Sequence, residues 1–261
     1  MPNSKQLAII TKDIKSIAKN RRLFPILVFM PLLMSVGIPS LFVFIALYSP
    51  EELKDFEQML QMAPTHSDDI TTMFIELIIN SIMPSFFAII PVMASSVMAA
   101  SSFVGEKEKK TLETLLYSPL PLKEIFYAKV MASFALSMAV SYAAFFAMVI
   151  VVEIELLLAA GIFIMPGASW LSMMLIVSPS ISLLAITVIV RGSAKSQTME
   201  ESQQKAVFLV MPLLALIIGQ FSGLLLVSAW LLTGIGLVFA ALSALFLKSA
   251  MRKFTYEKLL G

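Results

Sequence analysis

No charged residue occurs from Leu23 to Tyr48, from Leu77 to Gly105, from Val130 to Val152, from Leu156 to Val190 or from Ala206 to Leu247. The hydrocarbon core of a bilayer takes about 20 helical residues to cross. Inside it every backbone N–H and C=O must be satisfied within the protein, as a helix does. Each of the first three runs makes one span. The fourth is broken at Met165-Pro166-Gly167, and the piece from Trp170 onward is sufficient for a crossing. The last run amounts to about 63 Å of helix at about 1.5 Å per residue, enough for two crossings joined by a tip near Gly219 to Trp230. The fold class is therefore an all-α polytopic membrane protein with six transmembrane helices, at about 23–48, 72–104, 127–152, 168–190, 206–226 and 229–247. With 59% hydrophobic and 14% charged residues, a water-soluble core is excluded.

The basic residues decide orientation, because cytoplasmic loops carry the excess of Lys and Arg. Of the 19, six precede Leu23, five lie between Gly105 and Val130, three between Val190 and Ala206, and four follow Leu247, so Lys54 alone falls outside this sorting. The opposite side collects Glu51, Glu52, Asp55, Glu57, Asp68, Asp69, Glu76, Glu153 and Glu155. Both termini are expected in the cytoplasm, with a prokaryotic inner membrane as the plasma membrane. Trp170 and Trp230 fall at the expected outer interface, where indoles prefer to sit. The polar lead-in of 22 residues predicts no cleaved signal peptide. With no cysteine there is no disulfide, thiolate metal site or cysteine nucleophile.

Residues 1–22 form the first unit, and 23–261 a single transmembrane domain. Leu7, Ile10, Ile14 and Ile17 recur at helical spacing while Lys5, Lys12, Lys15 and Lys19 occupy other faces, which predicts an N-terminal amphipathic interfacial helix. The outer segment from Ser49 to Thr71 is acidic, with a helical centre expected over Glu51 to Met62; its His66, the sole histidine, has no ligand set around it. On the second span Asn80, Pro84, Pro91, Ser95 and Ser102 share a narrow sector. Such a stripe serves either as the wall of a transport route or as a packing face for neighbouring helices. Asn80, Ser95 and Ser102 are its candidate route residues. Gly219 and Gly223 have a spacing that also suits helix packing.

The segment Gly105-Glu106-Lys107-Glu108-Lys109-Lys110-Thr111-Leu112-Glu113-Thr114-Leu115-Leu116-Tyr117-Ser118-Pro119 reads as a charged amphipathic helix over about 105–118. Leu112, Leu115 and Leu116 form one edge, and Pro119 and Pro121 stop it. A helix of this kind, held between two spans, suits docking into a groove of a soluble partner; the alternative is a solvated connector.

Together with the preceding Phe103-Val104 and the run-in at Lys129, this segment resembles the signature of type-2 ATP-binding-cassette transporter permeases, in which glycine and acidic residues lead into a Thr-Leu-Glu helix closed by Ser-Pro. Arg191-Gly192-Ser193-Ala194-Lys195-Ser196 with Glu201-Ser202-Gln203-Gln204 is similar to the family's second cytoplasmic loop, and Lys253-Phe254 with Glu257-Lys258-Leu259-Leu260 to its tail. The resemblance implies a six-helix exporter permease whose first cytoplasmic loop is a coupling helix. Glu106, Glu108, Leu112, Glu113, Leu115 and Leu116 would meet the ATPase. It further implies two ATPase subunits, a second permease subunit (a homodimer or a close homologue), no cofactor on this chain, and ATP with Mg bound by the ATPase. No large outer domain is inserted, so the cargo is not implied.

The chain lacks a phosphate-cradling loop of its own: Lys109-Lys110-Thr111 has no second glycine before it and follows a span rather than a strand. Glu200-Glu201-Ser202-Gln203-Gln204-Lys205 resembles a membrane glutamate-protease motif, but lysine replaces its arginine and partner histidines are missing. A non-catalytic membrane scaffold is the remaining alternative. Nothing in the pattern points to nucleic acid.

Overall fold

In a computed structural model, residues 4–21, 23–56, 60, 69–108, 121–193, 196–223, 225 and 227–253 are described. Helix α1 (Ser4–Ala18) precedes six helices long and apolar enough to cross a membrane: α2 (Leu23–Tyr48), α3 (Ile70–Glu108), α4 (Leu122–Ala160), α5 (Ala168–Ser193), α6 (Met199–Phe221) and α7 (Ala229–Lys253). No strand occurs among the described residues. The all-helical, six-span class expected above is what the chain adopts.

Local chemistry starts and stops these helices. Asn20 Oδ1 accepts from Leu23 N at 3.2 Å, turning the chain from α1 into α2. Asp69 caps α3 by accepting from Thr72 N at 3.1 Å and Thr72 Oγ1 at 3.0 Å. Gly161 ends α4 at φ 67, a left-handed position that suits glycine, and returns its N–H to Leu157 O.

The spans are not equivalent. α3 and α5 are 78% and 72% buried across their apolar windows, whereas the other four lie between 17% and 28%, so α3 and α5 form the centre and the rest surround them. This ordering explains why α3 carries the polar stripe: polar groups at membrane depth must face protein or water. α4, at 39 residues, is about 58 Å long by its rise per residue. It outruns the hydrocarbon core, placing Lys123, Glu124 and Lys129 toward one end and Glu153 and Glu155 toward the other.

Three of the spans contain a π-helical turn: Leu33–Gly37, Ile78–Ile82 and Met173–Val177. In each case a proline follows the turn by two residues, Pro39, Pro84 and Pro179. Proline lacks an N–H and its ring crowds the carbonyl four residues earlier; one extra residue in the turn relieves that crowding. Pro91 and Pro212 have no such turn just before them, so proline alone does not dictate it. Neighbouring side chains donate to carbonyls of the π turns before Pro84 and Pro179. Trp170 Nε1 donates to Ile79 O at 2.9 Å, Gln220 Nε2 to Ser81 O at 2.9 Å, and Tyr142 OH to Met174 O at 3.3 Å.

One expectation changes. Trp170 is buried among Phe87 and Phe145, with centroids at 5.4 and 5.1 Å, rather than anchored in the interface, because its indole N–H is taken by the π turn of α3. Trp230 remains exposed at the start of α7. Of the helical centre expected over Glu51 to Met62, Pro50–Phe56 is a 3-10 helix and Leu60 is helical, while the remainder and His66 lie outside the described residues.

Candidate functional site

Where α1, the last turns of α3 and the first turns of α4 meet, five polar side chains converge. Lys129 Nζ donates to Glu106 Oε2 at 2.7 Å and to the Ser102 carbonyl, and lies 3.9 Å from Asp13 Oδ2. The other Glu106 oxygen accepts from Lys12 Nζ at 2.8 Å. Ser102 Oγ donates to Asp13 Oδ2 at 2.6 Å. The Phe103 ring lies beneath Lys129, its centroid 5.6 Å from Nζ. Asp13, Ser102, Glu106 and Lys129 are all buried. Two cations face two carboxylates, so the cluster is neutral, as buried charge requires. Partial burial alone would depress the Lys12 ammonium, but the adjoining Glu106 carboxylate outweighs it and holds Lys12 above the usual lysine range.

The α1 face that docks is Ile9, Asp13 and Ile17, with Ile9 packed against Ile125 and Ala128. Leu7, on the apolar face read from the sequence, is exposed, and Ile10 and Ile14 are partly so. The apolar flank thus lies beside the protein contact, with Lys12 and Lys15 across the helix from it. The buried acid displaced the apolar stripe because Ser102 and Lys129 are there to receive it.

Two residues further, Glu108 Oε2 accepts from Met199 N at 3.2 Å and so reaches the first turn of α6. That turn carries its own reciprocal cap: Thr198 Oγ1 accepts from Glu201 N at 3.2 Å, and Glu201 Oε2 from Gln197 N at 2.8 Å. Gly105 permits the approach, since a Cβ there would stand 3.0 Å from Met199 Sδ. Lys205 Nζ closes the loop before α6 by donating to Gly192 O at 3.0 Å and Ser196 Oγ at 2.5 Å.

Of the residues expected to meet an ATPase, Glu106 and Glu108 are thus engaged inside the chain. Leu112, Glu113, Leu115 and Leu116 lie outside the described residues. The three stripe residues do not share one cavity. Asn80 accepts from Gly167 N at 2.7 Å and donates to Met165 O at 3.5 Å, tying α3 to the turn before α5. Ser95 donates to Pro91 O at 2.5 Å within a serine cluster at the centre of the bundle. There Ser137 and Ser182 hydroxyls from α4 and α5 meet at 2.9 Å. Ser102 belongs to the charged cluster.

The next residue round from Ser95 faces elsewhere. Ser96 lines a lateral cavity of about 400 Å³ between α2, α3 and α6, with Ile26, Val92 and Val207 as apolar wall and Glu200, Gln203 and Gln204 at one end. Sequence reasoning missed Asp13, Ser137 and Ser182 as partners. Asp13 had a signal, being the single acid among the six basic residues of the lead-in.

Compared with known families, residues 7–246 match a family model described as "ABC-2 family transporter protein". Comparison with curated proteins gives no match.

Proposed function

We propose that this chain, which belongs to the ABC-2 transporter family, is the permease subunit of an ATP-driven exporter, energised by an ATPase on a separate polypeptide. Membership and six membrane-crossing helices make it a multi-pass membrane transport protein. The finer reading adds a second permease subunit, ATP and Mg held by the ATPase, both termini in the cytoplasm, and the plasma membrane as location. The sorting of 18 of 19 basic residues to one side supports that orientation.

The observation that carries the coupling reading is the double engagement of Glu106. It stands at the entrance to residues 109–120 and is bonded at once to α1 through Lys12 and to α4 through Lys129. A push on the segment that follows is therefore delivered to α1, α3 and α4 together, and through Glu108 to α6. Contact with the ATPase then falls to Leu112, Glu113, Leu115 and Leu116, while Glu106 and Glu108 act as positioning residues behind them. The cavity between α2, α3 and α6 is our candidate for part of the transport route.

The test is copurification of a nucleotide-binding subunit with vanadate-sensitive ATPase activity, and crosslinking of L112C or L116C to it. The chain has no native cysteine, so any crosslink is assignable. Partner-free purification with no crosslink in any nucleotide state would overturn the reading.

A further inference from the structure

A second cavity, of about 570 Å³, lies between the later half of α2 and the later turns of α4. Its walls include Leu41, Phe44 and Leu158, all strongly exposed, with Tyr48 at the end of α2. Two residues that line this cavity, Ser40 and Glu155, each carry a buried side-chain oxygen without a hydrogen-bond partner among the described residues, Ser40 Oγ and Glu155 Oε2. The described ion pairs all belong to the α1–α3–α4 cluster, and none involves Glu155. A buried carboxylate oxygen is ordinarily hydrogen-bonded, so one left open beside an open hydroxyl points to a missing donor. The Phe44 and Tyr48 rings pack at 4.8 Å between centroids, adding π faces that attract a cation.

We propose that this groove binds a small single-chain amphipathic amine rather than a bilayer lipid: an apolar body against Leu41, Phe44 and Leu158, and an ammonium donating to Glu155 and Ser40. The volume is that of a drug-sized ligand. Charge complementarity selects this occupant over a second copy of the chain. Among the described residues on the expected outer side, Glu51 and Asp69 are exposed and Glu153 is half-buried, against Lys54 as the one base, so a second copy would set acid against acid. The inference concerns binding alone and stands or falls apart from any ATPase.

The experiment uses the full chain in nanodiscs of phosphatidylglycerol, with dodecylamine and dodecanol as probes and native mass spectrometry as readout. One dodecylamine per chain is expected, with dodecanol weaker by about tenfold or more, the scale of one charge-assisted hydrogen bond. Glu155→Gln is expected to erase that preference while leaving dodecanol binding unchanged. Leu158→Trp, at an exposed wall position, should block both probes, and tests the site even where the Gln variant fails to insert. Equal binding of alcohol and amine, an unaltered preference in Glu155→Gln, or undiminished binding in Leu158→Trp would overturn the proposal. So would complete displacement of dodecylamine by phosphatidylethanolamine, which would reassign the groove to a lipid headgroup.

Discussion

Glu106 Oε2 and Lys129 Nζ, 23 residues apart in sequence, stand 2.7 Å from each other in a buried site that joins the end of α3 to the start of α4. The pair ties together the two ends from which residues 109–120 run. Because Lys12 and Asp13 engage the same groups from α1, three helices share one junction. Such a junction moves as a unit, since breaking a buried pair exposes each partner to an uncompensated charge.

The first prediction is that Lys129→Met destabilises the chain by about 3–5 kcal/mol, the cost of stripping the partner from a buried carboxylate. Glu106→Gln is milder, because the amide keeps a hydrogen-bonding oxygen for Lys129. In thermal unfolding followed by intrinsic fluorescence, the double variant should lose less than the sum of the singles. Strict additivity would mean that the two groups are not coupled.

Asp13 and Lys12 are adjacent but should behave differently. Asp13 is buried and accepts from Ser102, whereas the Lys12 side chain is 56% exposed and its bond to Glu106 is open to water. Asp13→Asn should detach α1, seen as faster proteolysis of the first 20 residues, while Lys12→Ala should cost about 0–1 kcal/mol, as exposed pairs do. Equal sensitivity in both variants would place the anchor elsewhere.

The two tryptophans offer an internally controlled comparison. Trp170→Phe removes the donor to Ile79 O and leaves a buried carbonyl short of a partner, at about 1–3 kcal/mol. Trp230→Phe, at 86% exposure, should stay within about 0.5 kcal/mol. Matching melting temperatures for the two would show that the π turn of α3 does not need its indole.

Sidedness is tested by single cysteines in a chain that has none. Cysteines at Gln197 and Lys109 should react only after permeabilisation, and those at Thr65 and Phe163 from outside. Gln197 and Phe163 are the better reporters because both are exposed, whereas Ser196 is buried and Gly167 N is held by Asn80. A protected Thr65 with an accessible Gln197 would invert the topology.

The six spans were legible in the amino-acid string because they follow from a local quantity, uncharged length against bilayer thickness. The same holds for the family resemblance around Gly105 to Pro119, now matched over residues 7–246. Pairing was not local. The stripe of Asn80, Ser95 and Ser102 was visible as a sector of one helix, yet its members serve a turn lock, a serine cluster and a charged junction, because each answers to a different neighbour. Asp13 looked like an interruption of an apolar face until Ser102 and Lys129 were brought beside it. Trp170 looked interfacial until the π turn before Pro84 presented a carbonyl to it. A helix dictates which residues share a face, but which polar group a face must satisfy is decided by the helix packed against it, and only the tertiary structure selects that helix.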